Sequence, residues 1–424
     1  MKRRFDCGQA VVLAMARRQL APAALTNSDE REARAWAHDS VSSRLLRVEH
    51  HVQRGAGRAA RREADQLRLS LAARFLALYT SMPAFHADRP DLPQAERLMR
   101  REERASIYAL GLEAIGRMDK GARANVRAKQ KGYAIGAGAQ YRPIFSFDWL
   151  DQARQRLLRT CLTPFVDFHP SQYMLRHSVA GRGRSAVCEN ILRVLPRLNE
   201  VHVFVQLDVS AFHASISHAW LEDTLPLPKA IIRSQVHTGG MTIVPLRKNV
   251  RARLGGAYDE LGRRGIPSGS ALSVLVGEYV VAEVLRGLAD RLDAPLLHAC
   301  AHNFHTYSDN IGVFVERGRA DAIVDLLREA FAASPAGPFS LRAAPAVPID
   351  QPFRFLGYWF RKTPEGAEAF VPEAFAYRRL DALAQDLLCA GPEDLVKIEL
   401  SIGVQKGPPI GVQKGPPSSS SVTG

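Results

Sequence analysis

Three short segments carry the residue types that could do chemistry. The first, VHVFVQLDV (201–209), alternates β-branched and apolar residues and reads as a strand with a carboxylate, Asp208, near its end. Alternation puts Val201, Val203, Val205 and Leu207 on one face, and His202, Phe204, Gln206 and Asp208 on the other. A carboxylate on a mostly buried strand is costly unless a metal ion or a basic group meets it. In the second, FHTYSDNIGVFVE (304–316), two apolar strands flank Asp309-Asn310, residue types that tolerate the positive φ of a tight turn. Taken alone, that segment is an ordinary hairpin. The third, RRGIPSGSALSVLVGEYVV (263–281), places Gly265, Pro267 and Gly269 in a loop whose backbone can approach a ligand closely, with a helix from about Ser270.

Several elements must position these segments. Residues 1 to about 130 read as a basic all-helical extension, with Leu67, Leu69, Leu71, Phe75 and Leu78 at helical spacing. Asn27-Ser28-Asp29 and Pro90-Asp91-Leu92-Pro93 punctuate it, and Arg58, Arg61 and Arg62 read as a solvated face. Gly136 and Gly138 mark a loop before a strand at Tyr141-Arg142-Pro143-Ile144-Phe145. A helix is expected over Asp148 to Leu162, and another after the Gly/Arg loop 180–185, to about Leu198. A long helix is expected over Ala271 to Leu292, a hairpin over 298–315, and one aromatic strand over Phe353 to Phe360. At the end IGVQKGPP (402–409) repeats at 410–417 before SSSSVTG; two copies are too few for a repeat fold, so 401–424 reads as a disordered or artefactual tail.

Taken in order, LDVSAFHASI (207–216), GIPSGSALS (265–273) and YSDN (307–310) resemble three successive palm motifs of bacterial reverse transcriptases, the RNA-directed DNA polymerases of retrons, group II introns and phage defence. The family forms read roughly D-hydrophobic-x-x-[FY]-[FY]-x-S-I, G-[IL]-P-Q-G-x-x-x-S and Y-x-D-D. The separation of Asp208 and Asp309, 101 residues, also agrees. FLGYWF (355–360) resembles the strand that grips the primer end. Tyr141-Arg142-Pro143-Ile144 resembles the fingers strand that holds the incoming triphosphate, and GRGRSAVCEN (181–190) resembles the following G-R-S…N segment. The resemblance covers about 130–362.

The resemblance implies an α+β fold. A right-hand palm (antiparallel sheet with helices) and fingers would span 131–362, with the helical extension before them and a short helical thumb at 363–400. The implied activity is RNA-directed DNA synthesis, adding nucleotides to a primer 3′ end by two-metal phosphoryl transfer. Two Mg²⁺ (or Mn²⁺) ions, about 3.5–4 Å apart, clamp the attacking and leaving oxygens in such chemistry. Asp208, Asp309 and the Val209 carbonyl would hold them, with Asn310 beside. Arg142, His213, Ser268 and Gly269 would surround the nucleotide; Arg182, Arg184 and Gly357 would touch nucleic acid. The implied partners are an RNA template, a DNA or RNA primer, deoxynucleoside triphosphates and an associated non-coding RNA. Two other readings stay open: a catalytically impaired nucleic-acid binder on the same fold, and template-independent nucleotide addition.

The chain departs from the family pattern in places. Asn310 stands where a second aspartate is usual, and an amide adds no negative charge. His213 replaces the Phe or Tyr that blocks a sugar 2′-hydroxyl, so sugar discrimination is in question; Ser268 replaces a glutamine. Between Phe339 and Pro352 the usual lysine is missing, and Arg342 does not readily give up a proton. His298, Cys300, His302 and His305 do not match zinc spacings well and read as packed residues behind the turn.

Whole-chain properties are compatible with a polyanionic partner. The 424 residues carry 57 basic and 43 acidic side chains, a formal net charge of +14. Arginine dominates, and its fork suits phosphate, although a GC-rich genome would also enrich it. Five scattered cysteines (Cys7, Cys161, Cys188, Cys300 and Cys389) without a CxxC pair argue against a disulfide framework and fit a reducing cytoplasm. The N-terminal MKRRFDCGQAVVLAMARR reads as an amphipathic helix, and no apolar run is long enough for a membrane span.

Overall fold

Alternating side chains in two paired strands, His202–Ser210 and Asn310–Glu316, separate the cores of the molecule. The computed structural model describes residues 2–17, 27–82, 94–135, 138–175, 183–245, 262–289 and 303–370. Its elements are α1 (Lys2–Ala16), α2 (Asn27–Gln53), α3 (Gly57–Leu69), α4 (Leu71–Tyr79), α5 (Gln94–Gly116), β1 (Asn125–Ile135), β2 (Gly138–Phe147), α6 (Trp149–Leu162) and α7 (Gly183–Val194). Then follow β3 (His202–Ser210), α8 (Phe212–Ser215), α9 (His218–Thr224), β4 (Thr242–Pro245), α10 (Ala271–Ala289), β5 (Phe304–Tyr307), β6 (Asn310–Glu316), α11 (Ala320–Ala332), β7 (Ser340–Ala343), β8 (Val347–Pro348), β9 (Phe353–Phe355), β10 (Tyr358–Thr363) and β11 (Gly366–Phe370). The fold class is mixed α+β. Among the described residues no helix is long and apolar enough to cross a membrane.

The central sheet runs β5-β6-β3-β7, with β8 also pairing β3, and every pairing is antiparallel. A second sheet runs β2-β1-β4 and a third β11-β10-β9. The period-two pattern of β3 separates two cores. Val203, Val205, Leu207 and Val209 share one with Val276 and Val280 of α10 and Ile323 and Leu327 of α11. Phe204 joins the other, with Phe314, Phe353, Phe355, Phe360 and Ile191 of α7. Rings stack tightly there: Phe204 lies 4.3 Å from Phe353 and 5.0 Å from Phe314, centroid to centroid. Gly312 makes this packing feasible, because a Cβ there would come within 2.9 Å of the Phe204 ring.

Several expectations are corrected. Val201 precedes the strand and is 54% exposed. The apolar run 67–78 is two helices, not one: Ser70 is extended (φ −67°, ψ 139°) and its hydroxyl caps Ala73 N, leaving Leu69 exposed. Helix gives way to strand at Asn125, so β1 precedes the glycine pair and forms a hairpin with β2. The aromatic segment 353–360 is a hairpin, because Leu356 (φ 49°) and Gly357 (φ 90°) form a two-residue turn between β9 and β10. Residues 366–370, expected to open a helical thumb, form β11, while 371–424, including the repeat tail, lie outside the described residues. The N-terminal helices share a core with the central sheet: Val12, Trp36, Phe75 and Leu78 belong to the same cluster as Val205 and Leu207.

Truncating Phe204 to alanine removes the ring at the centre of the aromatic core. It should cost about 3–5 kcal/mol in urea unfolding, whereas Val201→Ala on the exposed edge should stay within about 0.5 kcal/mol.

Candidate active site

Cross-strand register brings the chemical residues together. Asp208 of β3 lies directly opposite Asn310 of β6 on one side and Arg342 of β7 on the other. Tyr307 of β5 lies opposite Asn310, so Tyr307, Asn310, Asp208 and Arg342 form one row across four strands. Residues paired this way project from the same face. Asp309 is tied to this row through the backbone: Val209 donates its N–H to the Asp309 carbonyl at 3.0 Å. In an extended residue the carbonyl projects toward the same neighbour as the N–H, so the Val209 carbonyl also points toward the turn.

The turn differs from the one expected. Its two residues are Ser308 and Asp309, and the positive φ (56°) falls on Ser308, whereas Asn310 already belongs to β6. The reason is register: Tyr307 pairs with Asn310, leaving only two residues for the loop. Asn310 donates from Nδ2 to Asp309 Oδ1 at 3.1 Å, so its amide orients the carboxylate. Asp208 is exposed at the strand end, which overturns the expectation of a buried carboxylate there. Water can hydrate it, and burial cost alone does not call for a cation.

Basic groups flank the row. The guanidinium of Arg184, at the start of α7, lies 5.7 Å from the Tyr307 ring centroid, a cation–π approach. Helix α7 comes this close because Gly183 seats against the same ring: a Cβ there would sit 3.2 Å from Tyr307 Cε2. Arg342 is exposed at the other end. Arg142 lies on β2 opposite Lys131, with its side chain outside the described residues, as is all of Arg182.

The glycine loop joins the segment that follows β3 to β2. Gly265 N donates to Ile216 O and Ile266 N to His213 O, each at 2.8 Å, while Phe145 N of β2 donates to Ser268 O at 2.9 Å. Gly269 (φ 108°) is needed at the contact, since a Cβ would meet Phe145 O at 2.5 Å. Gly269 and Ser270 line a cavity of about 340 Å³ together with Phe147, Gln152, Gln155 and Arg156. His213, half-buried on α8, has its ring against α10, where a Cβ on Gly277 would lie 3.3 Å from Nε2. Gly357 sits at the tip of the β9–β10 turn with open space around it. Of the residues considered for zinc, His305 is buried, its Nε2 2.8 Å from Asn190 Nδ2, and burial pushes its imidazole down to about 4. His298, Cys300 and His302 lie outside the described residues.

Among the described residues no three His, Cys, Asp or Glu side chains cluster as a ready-made metal cage. The donors at the row, two carboxylates and a backbone carbonyl, suit a hard divalent cation that takes its remaining oxygens from substrate phosphates and water.

One residue at this site escaped the sequence reading. Glu278 of α10 is 0% exposed, and its Oε1 accepts the Ser308 N–H at 3.0 Å. Burial, with a further push from Asp309, drives its carboxyl up to about 7, against hydrogen bonds from Ser308 and Gln172 that pull it down. The available signal was a lone acid in the otherwise uncharged stretch ALSVLVGEYVVA (271–282).

The chain matches no protein-family model and no curated protein.

Between pH 4.5, the ordinary value, and about 7, native Glu278 keeps a proton that the unfolded chain has lost. Stability from this group is therefore lost as pH rises through that window. Glu278→Gln, which cannot ionise, should gain on the wild type in urea midpoint from pH 4.5 to 7 and keep a constant lead above it. Parallel pH curves for the two proteins would contradict this.

Proposed function

We propose that this chain is a reverse-transcriptase-type polymerase that extends a primer 3′ end by phosphoryl transfer, most simply making DNA on an RNA template. In this reading the central sheet with α10 and α11 is the palm, and the β1–β2 hairpin belongs to the fingers. The observation that carries the reading is the β3–β6 register. It sets Asp208 opposite Asn310 and bonds Val209 to Asp309, so two acids 101 residues apart in sequence meet at one sheet end. The ordered motifs at 207–216, 265–273 and 307–310 supply the reaction class.

Asp208, Asp309 and the Val209 carbonyl would hold Mg²⁺ or Mn²⁺. When bound, the metal supplies positive charge to the attacking and leaving oxygens. The chain's own groups do the rest. Asn310 keeps the Asp309 carboxylate turned toward the row through the Nδ2 hydrogen bond. Arg184 and Arg342, at opposite ends of the row, would neutralise phosphate charge on the bound strand and on the triphosphate. The loop at Ser268 and Gly269, docked on the strand of Arg142, would bring backbone close to the nucleotide. The single acid at the turn, with Asn310 beside it, also keeps a binder of impaired activity in view.

Purified protein incubated with a primed RNA, Mg²⁺ and deoxynucleotides, or ribonucleotides in parallel, should give template-complementary extension when the product is sequenced. Asp208→Ala and Asp309→Ala should each lower the rate by at least about 10³-fold, several kcal/mol of lost charge stabilisation. Untemplated product would move the assignment to template-independent addition. No product with retained RNA binding would leave a binder. Arg184→Ala should weaken nucleic-acid binding and flatten the log affinity against log salt slope by about 0.7–0.9.

A further inference from the structure

The Ser308–Asp309 turn is an uncommon one. Ser308 carries a side chain at φ 56°, a conformation that glycine adopts more readily. In a two-residue hairpin the N–H of the first loop residue has no partner in the strand ladder. Here it is met from below: the Oε1 of Glu278 accepts it at 3.0 Å. The other oxygen, Oε2, accepts from Gln172 Nε2 at 3.2 Å, and the same nitrogen donates to the Glu278 carbonyl at 2.7 Å. Gln172 is itself fully buried and fixed, with Oε1 accepting from His169 N at 2.7 Å. Its segment is stitched to β5 beside the turn, through Thr306 N to Ser171 O (2.7 Å) and Tyr173 N to Thr306 O (3.1 Å).

A buried carboxylate whose oxygens meet two amide donors is an expensive way to fill a helix face, since an apolar residue there would avoid the desolvation cost. It reaches the site through the hydrogen bond from the Ser308 amide, adjacent to Asp309. We infer that Glu278 is a positioning residue: by accepting the Ser308 N–H, backed by Gln172, it holds the strained turn so that Asp309 stays in line with Asp208. The metal-binding consequence rests on the polymerase reading; the hold on the turn does not. The turn is then fixed on two sides, by Glu278 at Ser308 N and by Val209 N at the Asp309 carbonyl.

The test compares wild type, Glu278→Leu (no acceptor) and Glu278→Gln (one acceptor oxygen kept) in the full chain. Thermal melts check folding. Amide hydrogen exchange reads Ser308, Mn²⁺ binding by electron paramagnetic resonance reads the site, and primer extension separates kcat from the nucleotide KM. Glu278→Leu should speed Ser308 exchange and weaken Mn²⁺ binding by about 10- to 100-fold, the range for groups that orient metal ligands. Its kcat should fall with nucleotide KM little changed, and Glu278→Gln should recover most of both losses. A folded Glu278→Leu protein with unchanged exchange and Mn²⁺ affinity overturns the inference. So does a Gln variant as impaired as the Leu variant. Should Glu278→Leu not fold, exchange in Glu278→Gln decides: retained Ser308 protection supports the inference and its loss overturns it. Wild-type protein that binds no Mn²⁺ would defeat the polymerase reading instead, and Ser308 exchange would still judge the hold on the turn.

Discussion

The site depends on the pairing of β3 with β6. Seven residue pairs, from His202–Glu316 to Asp208–Asn310, fix where one strand ends against the other. A slip of one residue would turn Asp208 toward α10 and α11 and turn Val203, Val205 and Leu207 away from them. The register is held by what each face must bury. Phe204, Phe314, Phe353 and Phe355 lock one face over Gly312, and the valines lock the other against α10 and α11. Packing far from the acids thereby sets their position.

The same division of labour recurs at the turn. Its backbone is strained at Ser308, and the surroundings offset that strain with hydrogen bonds from two directions. Glu278 arrives from α10, whose N-terminal loop, Gly265 to Ser270, also reaches α8 and β2. Helix α6 secures that loop from behind: Ser270 donates to Gln155, which donates in turn to the Gln235 carbonyl. One helix and its leading loop thus link the turn, the strand end and the β1–β2 hairpin.

Much of this was legible in the sequence because it rests on local pattern. The alternation at 202–209 gave both faces of β3, and Asp148 at the start of α6 acts as its cap, accepting from Asp151 N. What local pattern could not give was register. Nothing within 304–316 says which residue will face Asp208, and the turn moved by one position because β5 pairs Tyr307 with Asn310. Strand β1 was missed because Val126 and Ala128 alternate with Arg127 and Lys129, and its charge hides a weak apolar period. Residues 353–360 have the apolar pattern of a single strand, although Gly357 marks the break between β9 and β10. Glu278 was overlooked because a lone acid on an apolar helix has no partner nearby in sequence; its partners lie 106 residues before and 30 after.

The central claim is that Asp208 and Asp309 converge on shared divalent cations. Crystals grown with primer–template, Mn²⁺ and a non-hydrolysable nucleotide would test it directly by anomalous scattering. The account predicts a peak bounded by both carboxylates and the Val209 carbonyl, next to the nucleotide phosphates. A bound nucleotide with its Mn²⁺ held elsewhere, or carboxylates that turn apart in the complex, would contradict it.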